Sequence, residues 1–243
     1  MRPLLAVGII IAPFFGNSVR GVEFNAVKMA SGRFTICQVD VRKERLQLFL
    51  RDDVNQPFKR FDRLSKWLQA RNRKLLFAMN AGMYDRNFSA VGLLVINGQQ
   101  ISPLNTSSGE GNFFLKPNGV FVVSDTGAHI VESSEYPRLG GGTVIATQSG
   151  PLLVQAGKIH PAFQPDSKNR LVRNGVGVSS PEFVWFAISE TPVNLHEFAA
   201  LFRDKLHCPD ALYLDGVVSS LHSTELKRSD SQMDLGPIIA IIE

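Results

Sequence analysis

The sequence predicts an α+β (mixed α/β) fold of antiparallel-rich sheets with a few flanking helices. Three observations predict it: short apolar runs recurring along the chain, turn residues between neighbouring runs, and two stretches with helical apolar spacing. Residues 33–39, carrying Phe34, Ile36 and Val39, read as a strand with residues 46–50 as its expected partner. Phe58, Phe61, Leu64, Trp67 and Leu68 then recur at helical spacing with basic residues on the other faces. Their aromatics therefore read as a core stripe rather than a ligand platform. Strand-like runs follow at residues 75–79, 91–96, 119–123, 129–131, 143–147, 152–154, 175–178 and 183–188. Asn97-Gly98 and Ser124-Asp125-Thr126-Gly127 have the chemistry of hairpin turns. The second helix is marked by Asn194 as its cap, Glu197 three residues on, and Leu195, Phe198, Leu201 and Phe202 on one face. Residues 211–214 and 238–242 complete the strands.

The 243 residues are 44% hydrophobic and 20% charged, enough for one buried core. No Pro/Gly/Ser-rich or charged boundary separates two halves, so residues 21–243 read as a single domain. Ahead of them, the basic start Met1-Arg2 and the apolar run from Pro3 to Phe15, ending near Gly16-Asn17-Ser18, have the layout of a secretory signal peptide over residues 1–20. The run is shorter than the ~20 residues that cross a bilayer comfortably. Cleavage to a periplasmic or secreted product with no stable membrane span is expected, ahead of a retained anchor or a buried N-terminal strand. Export would permit a disulfide between Cys37 and Cys208, but two buried small hydrophobes are the plainer expectation. The formal charge of +4, with basic residues at Arg42-Lys43-Arg45 and from Lys59 to Lys74, describes either a solvated face or a preference for anionic glycans, phosphorylated sugars or envelope surfaces. It lacks the aromatic interleaving of a single-strand binder, so no nucleic-acid partner is expected.

Several mechanisms are removed by absent motifs. There is no Gly-x-Ser-x-Gly elbow and no Walker lysine loop, and His196-Glu197 lacks the second histidine of a zinc-protease helix. Gly140-Gly141-Gly142 leads into a strand-like run, so it reads as a flexible connection rather than a phosphate cradle. What remains is a set of polar residues just after apolar strands, where a sheet edge holds side chains rigidly. The first is Asn80-Ala81-Gly82-Met83-Tyr84-Asp85, in which Gly82 permits a sharp turn or close ligand approach and Asn80 offers donor and acceptor. An ordinary turn is the other reading. The second is Gln148-Ser149-Gly150-Pro151, followed by Gly157-Lys158 and His160-Pro161. The third is Arg170, Arg173 and Asn174: an arginine fork suits phosphate or carboxylate, although an arginine before a strand is more often a surface ion pair. The fourth is Tyr213-Leu214-Asp215-Gly216-Val217-Val218-Ser219-Ser220, an acid emerging from an apolar strand into a glycine turn followed by two hydroxyls. Burial at the strand end could tune Asp215 as nucleophile or base while Ser219 and Ser220 bind substrate hydroxyls; an Asx-turn with capping serines is the plain equivalent.

In order and spacing these segments resemble the phosphodiester glycosidase domain family. Its pattern is an Asn-Gly-Gly-aromatic turn, a Gly-Leu strand ending in Gly, Ser-Gly-Pro-x-Leu-Val, an Arg-x-x-x-Gly strand and Asp-Gly-Gly-x-Ser. This chain shows Asn80-Ala81-Gly82-Met83-Tyr84, Gly92-Leu93 through Gly98, Ser149 to Val154, Arg173 to Gly177, and Asp215-Gly216-Val217-Val218-Ser219. The resemblance runs from about residue 30 to the end and looks closest to a bacterial exported branch, of which His160 and Arg173-Asn174-Gly175 look typical. Ala81 stands in place of the first Gly, and Val217 in place of the second Gly of Asp-Gly-Gly, which narrows the room at that turn.

The resemblance implies hydrolysis of a sugar C1–O–phosphate bond in a carbohydrate or phosphorylated-sugar substrate, with phosphate leaving well and needing little general-acid help. It implies Asp215 as nucleophile or base, Arg173 holding phosphoryl oxygens, and Asn80, Ser149 and Ser219 positioning the sugar. Gly82, Tyr84, Gly150, His160, Asn174, Gly216 and Ser220 would line the same cleft, with Asp85, Glu110 and Glu190 as reserve carboxylates. No cofactor is implied; a divalent cation near Asp215 stays open, though no ligand cluster argues for one. Two other readings use the same cleft: a non-catalytic module binding glycan or cell envelope, and a glycosidase acting on non-phosphorylated substrates.

Overall fold

The structure, a computed structural model, describes residues 21–140 and 142–243, so the expected leader at residues 1–20 lies outside the described residues. The chain opens with a hairpin of β1 (Val22–Met29) and β2 (Gly32–Asp40), in register from Val22 opposite Val39 to Met29 opposite Gly32. β1 carries no clear strand pattern in the sequence because Glu23, Asn25 and Lys28 dilute its apolar residues, a composition that suits an edge strand. β3 (Leu46–Phe49) is followed by α1 (Phe61–Gln69), which buries Phe61, Leu64 and Leu68 along one face as the spacing requires.

After β4 (Leu75–Asn80) come two hairpins. β5 (Leu94–Ile96) and β6 (Gln99–Ser102) turn at Asn97 and Gly98, both at positive φ. β5 starts later than expected because Val91 donates to the Met83 carbonyl and Leu93 to the Gln148 side chain. β7 (Gly119–Ser124) and β8 (Gly127–Glu132) close at Gly127, φ +111°. β9 (Thr143–Ser149), β10 (Leu152–Gln155), β11 (Lys158–Ile159), β12 (Asn174–Ser180) and β13 (Phe183–Ser189) lead to α2 (Leu195–Ala200). α2 starts on the expected capping box: Asn194 Oδ1 accepts from the Glu197 N–H at 2.9 Å, and Glu197 Oε2 accepts from the Asn194 N–H at 2.9 Å. The helix widens to π geometry over Leu201–Lys205. β14 (Asp210–Asp215), β15 (Leu221–Ser223), β16 (Arg228–Ser229) and β17 (Ile238–Ile242) finish the chain.

Every strand pairing among the described residues is antiparallel. Three sheets result, in the orders β1-β2-β13-β12-β14-β10-β11, β16-β15-β4-β17-β3 and β6-β5-β9-β7-β8. β3 pairs with β17 and not with β2 as expected, because both edges of β2 are taken by β1 and β13. The sheets share one apolar core, to which the first contributes Cys37 and Phe186, the second Phe77 and Ile239, and the third Phe121. A second cluster packs Phe198 and Phe202, from α2 and its π extension, against Leu153, Ala211 and Tyr213. Each buried Phe contributes about 1.5–3 kcal/mol. The shared core brings the ends of β4 and β9 beside the start of β12 and the end of β14, where Asn174 lies opposite Asp215.

Candidate active site

Asn80 ends β4, Asn174 begins β12, and both are 0% exposed. Buried amides need partners, at a cost of about 1–3 kcal/mol for each group left unpaired. These two supply each other: Asn80 Nδ2 donates to Asn174 Oδ1 at 3.1 Å, and Asn174 Nδ2 donates to the Asn80 carbonyl at 2.9 Å. Asn80 Oδ1 accepts from the Ser220 N–H at 2.9 Å. Asn80 is thus a clamp between two sheets rather than an ordinary turn residue. Ser149, at the end of β9, clamps the third sheet by donating to the Leu214 carbonyl at 3.1 Å.

Asp215 sits at this junction. Its Oδ1 accepts from the N–H groups of Gly216 at 2.6 Å, Val217 at 2.7 Å and Val218 at 3.2 Å, so the Asx-turn is present. That turn engages one oxygen; Oδ2 accepts no hydrogen bond among the described residues. Burial raises the carboxyl pKa, and the three N–H groups oppose the rise. Ser219 Oγ lies 3.0 Å from the Asp215 carbonyl, 3.2 Å from that of Val172 and 3.3 Å from Asn174 Oδ1. The Ser220 hydroxyl donates to the Val218 carbonyl at 2.9 Å, inside the turn.

Beneath the turn lies Arg173, 1% exposed. Its Nε donates to the Val193 carbonyl at 2.8 Å, Nη1 to Tyr213 Oη at 2.8 Å, and Nη2 to the Asn169 carbonyl at 3.0 Å and Oδ1 at 3.2 Å. Its backbone N–H donates to Ser189 Oγ at 2.9 Å. All the acceptors are neutral, and no carboxylate pairs with the guanidinium among the described residues. The surface ion pair belongs instead to Arg170, 2.8 Å from Glu197. A buried cation without a counter-ion is costly to fold around, and here it leaves uncompensated positive charge under Asp215. Gly216 makes the stacking possible, since a Cβ there would collide with Tyr213 Oη and lie 3.2 Å from Arg173 Nη1. Burial pushes the Tyr213 hydroxyl pKa up, against the Arg173 charge.

Tyr84 stands at the rim, half-buried, with Oη donating to the Asp234 carbonyl at 2.5 Å and its ring stacked on Phe88 at 5.2 Å. Burial, then the nearby Asp215 and Asp234 charges, raise its pKa. Gly82, at φ +140°, packs on β9, where a Cβ would lie 3.0 Å from Thr147 Oγ1. Gly150 is packed against Asn118 and the Phe113 carbonyl. His160 is built into other contacts: it stacks on Phe163 at 4.7 Å, its Nδ1 accepts from the Ala162 N–H at 3.2 Å, and burial lowers its pKa. It lines a cavity of ≈ 170 Å³ with Pro117, Leu152 and Lys158, and no hydrogen bond among the described residues joins it to the Asp215 cluster.

Of the reserve carboxylates, Asp85 accepts from the Asn87 and Ser89 N–H groups of its own turn, Glu190 is held by Arg228 at 2.5 Å, and Glu110 is exposed. No group of three or more His, Cys, Asp or Glu that could hold a metal gathers among the described residues. No helix among them is long and apolar enough to cross a membrane. Asn169 and Ser189 are site residues that no sequence motif marks, and Tyr213 opens the fourth segment without a role of its own there. Tyr213 carries a usable signal, because two residues before Asp215 on one strand means the same face.

Residues 73–234, which contain Asn80, Ser149, Arg173, Asn174 and Asp215, match the model of the family described as phosphodiester glycosidase. An uncharacterized protein of Escherichia coli K12, YigE, is 39% identical over 145 residues, covering 60% of this chain and 57% of that relative. The catalytic domain of zebrafish N-acetylglucosamine-1-phosphodiester alpha-N-acetylglucosaminidase, auto-inhibited by its pro-peptide, is similar with a TM-score of 0.62 at 14% identity, covering 91% of this chain and 82% of that one. A hypothetical protein from Synechocystis gives a TM-score of 0.57 at 15% identity over 91% of this chain and 62% of that one. A putative exported protein from Burkholderia pseudomallei gives 0.50 at 11% identity over 90% and 74%. At such identities the likeness to the solved structures is one of fold.

Proposed function

Because the chain belongs to the phosphodiester glycosidase family, we propose that it hydrolyses the glycosidic bond of a sugar-1-phosphodiester, with Asp215 as nucleophile or base. One observation carries this reading: among the described residues, a buried carboxylate with a free Oδ2 lies over a buried guanidinium that has no counter-ion. The substrate supplies the missing negative charge. Even at an effective dielectric of about 20, an unpaired cation attracts a phosphoryl charge several ångströms away. Arg173 acts here through its field, with Tyr213 between it and the turn. The half-buried Ser219 hydroxyl and Tyr84 lie nearest the bound sugar, and Asn80, Asn174 and Ser149 hold the sheet ends that place Asp215.

Two routes use these groups. In one, Asp215 Oδ2 takes a proton from water as the water oxygen bonds to C1 and the C1–O bond breaks toward phosphate. In the other, Oδ2 bonds to C1 as phosphate departs, and water then releases the sugar. Neither needs a proton donor for the leaving group, which is anionic and stable. The basic and apolar pattern of residues 1–20 supports export to the periplasm or medium, and the Burkholderia match is itself described as exported.

The test is hydrolysis of a panel of sugar-1-phosphodiesters and matching simple glycosides, with Asp215→Asn alongside. Turnover of the phosphodiesters alone, reduced about 10²–10⁴-fold in the variant, is the expected result. Equal turnover of both sets would favour a glycosidase indifferent to phosphate. No turnover by folded protein, with ligand binding intact in Asp215→Asn, would make the chain a binding module.

A further inference from the structure

Of the seven large hydrophobic residues exposed among the described residues, four lie in the Asp215 turn or on segments tied to it or to its neighbours: Val217 at 73%, Met233 at 45%, and Leu171 and Val172 at 37% each. Val217 is within the turn, its N–H donating to Asp215 Oδ1. Val172 is tied to the turn through its carbonyl and Ser219 Oγ, 3.2 Å apart, and Leu171 bridges to Val193, whose carbonyl holds Arg173. Met233 comes from the Tyr84 side, since the next residue, Asp234, accepts the Tyr84 hydroxyl. Single exposed apolar side chains are ordinary, but four on segments that converge on one buried carboxylate mark a contact surface.

We propose that this collar receives the alkyl part of an alcohol esterified to the substrate's phosphate, making the substrate a sugar-1-phosphodiester of an apolar alcohol. The inference rests on the proposed hydrolysis for the place of the phosphate and adds the chemistry of the leaving group. The charge layout separates the two ends. The unpaired Arg173 lies beneath the turn and draws the phosphate inward, and Val217 lies outside it, where whatever the phosphate carries must pass. A polyol in that position would find four side chains with no hydrogen-bond donor or acceptor except a thioether, and would lose hydration against them. An alkyl chain would lose nothing and cover them.

Hexyl phosphate and glycerol phosphate probe the collar by calorimetry without requiring turnover. The proteins compared are the unsubstituted chain, Val217→Ser, and Ile101→Ser, which alters an equally apolar exposed residue on the edge strand β6. Hexyl phosphate is expected to bind about tenfold tighter than glycerol phosphate, and Val217→Ser to remove most of that difference, a size consistent with covering about two methylenes. Ile101→Ser leaves it unchanged. Equal affinities, or a preference indifferent to Val217→Ser, overturn the collar. Rates on hexyl and methyl diesters of one sugar phosphate separate the two ideas. Hydrolysis without a hexyl preference leaves the enzyme reading standing and sinks the collar. Selective hexyl phosphate binding without hydrolysis of any diester does the reverse. A concentration-dependent dimer abolished by Val217→Ser would assign the patch to a second copy and overturn the proposal.

Discussion

Asp215 is under two opposing pulls, and their balance gives its chemistry a pH signature. Burial raises its pKa, while the N–H groups of residues 216–218 stabilise the ionised form. The carboxylate must be ionised to act in either route, so the acid limb of kcat/KM is expected above the range of an exposed aspartate. The same shift bears on stability. With its pKa higher folded than unfolded, the folded state holds the proton more tightly, so stability falls as pH rises through the folded pKa. Asp215→Asn keeps an oxygen for the three N–H groups and removes the buried charge. The variant is expected to lose most of its activity yet to melt at a higher Tm at pH 7, with the difference vanishing at pH 3, where both side chains are neutral. Thermal melts at the two pH values check this; a Tm difference independent of pH would sink it.

Among elements, the turn after β14 depends on Gly216, because Tyr213 Oη occupies the space a Cβ would need. Gly216→Ala is expected to displace the turn and lower kcat at least about 100-fold, the scale on which small misplacements act. Tyr213→Phe removes the colliding oxygen and leaves the ring carbon 3.1 Å from the new Cβ, a contact that a small shift relieves. The double variant should therefore be more active than Gly216→Ala alone; additive losses would show that collision with Oη is not what Gly216 avoids. The α2 cap makes a second prediction at this scale. Asn194 also donates to the Pro165 and Ser167 carbonyls, so Asn194→Ala should cost about 1–2 kcal/mol and lower Tm by roughly 2–4 °C per kcal/mol, with m unchanged in urea. Both this cap and the Asn97-Gly98 hairpin were legible in the sequence, because their chemistry is local. The partner of β3 was not, since it depends on which strand edges other segments leave free. The order of motifs brought out Asn80, Asn174 and Asp215 together. It did not bring out what Arg173 binds, because the carbonyls of Val193 and Asn169 belong to no residue type. His160 shares the motif order but packs on Phe163, so position in a pattern did not fix its neighbours.

Across the whole molecule, the side-chain clamps that build the site also tie three sheets into one unit, and the cysteines offer a way to test that unity. Cys37 belongs to the core shared by the sheets and Cys208 to the cluster under α2, so the two are buried apart and unpaired. Burial raises both thiols, Cys208 to about 12 and Cys37 well above its ordinary value, which leaves almost no thiolate to react in the folded state. A thiol-specific reagent at pH 8 should thus label neither cysteine quickly in native protein and both at once in guanidinium, and added reductant should leave Tm unchanged. The informative case is native labelling under low denaturant. If the clamps Asn80–Asn174 and Ser149–Leu214 join the sheets into one opening unit, Cys37 and Cys208 become reactive at the same rate, with a free energy equal to that of global unfolding. Reaction of Cys208 well before Cys37 would mean that α2 and its cluster open while the sheets stay closed. Arg173 would then be supported from a side that moves independently of Asp215, because its Nε partner, Val193, packs in the α2 cluster.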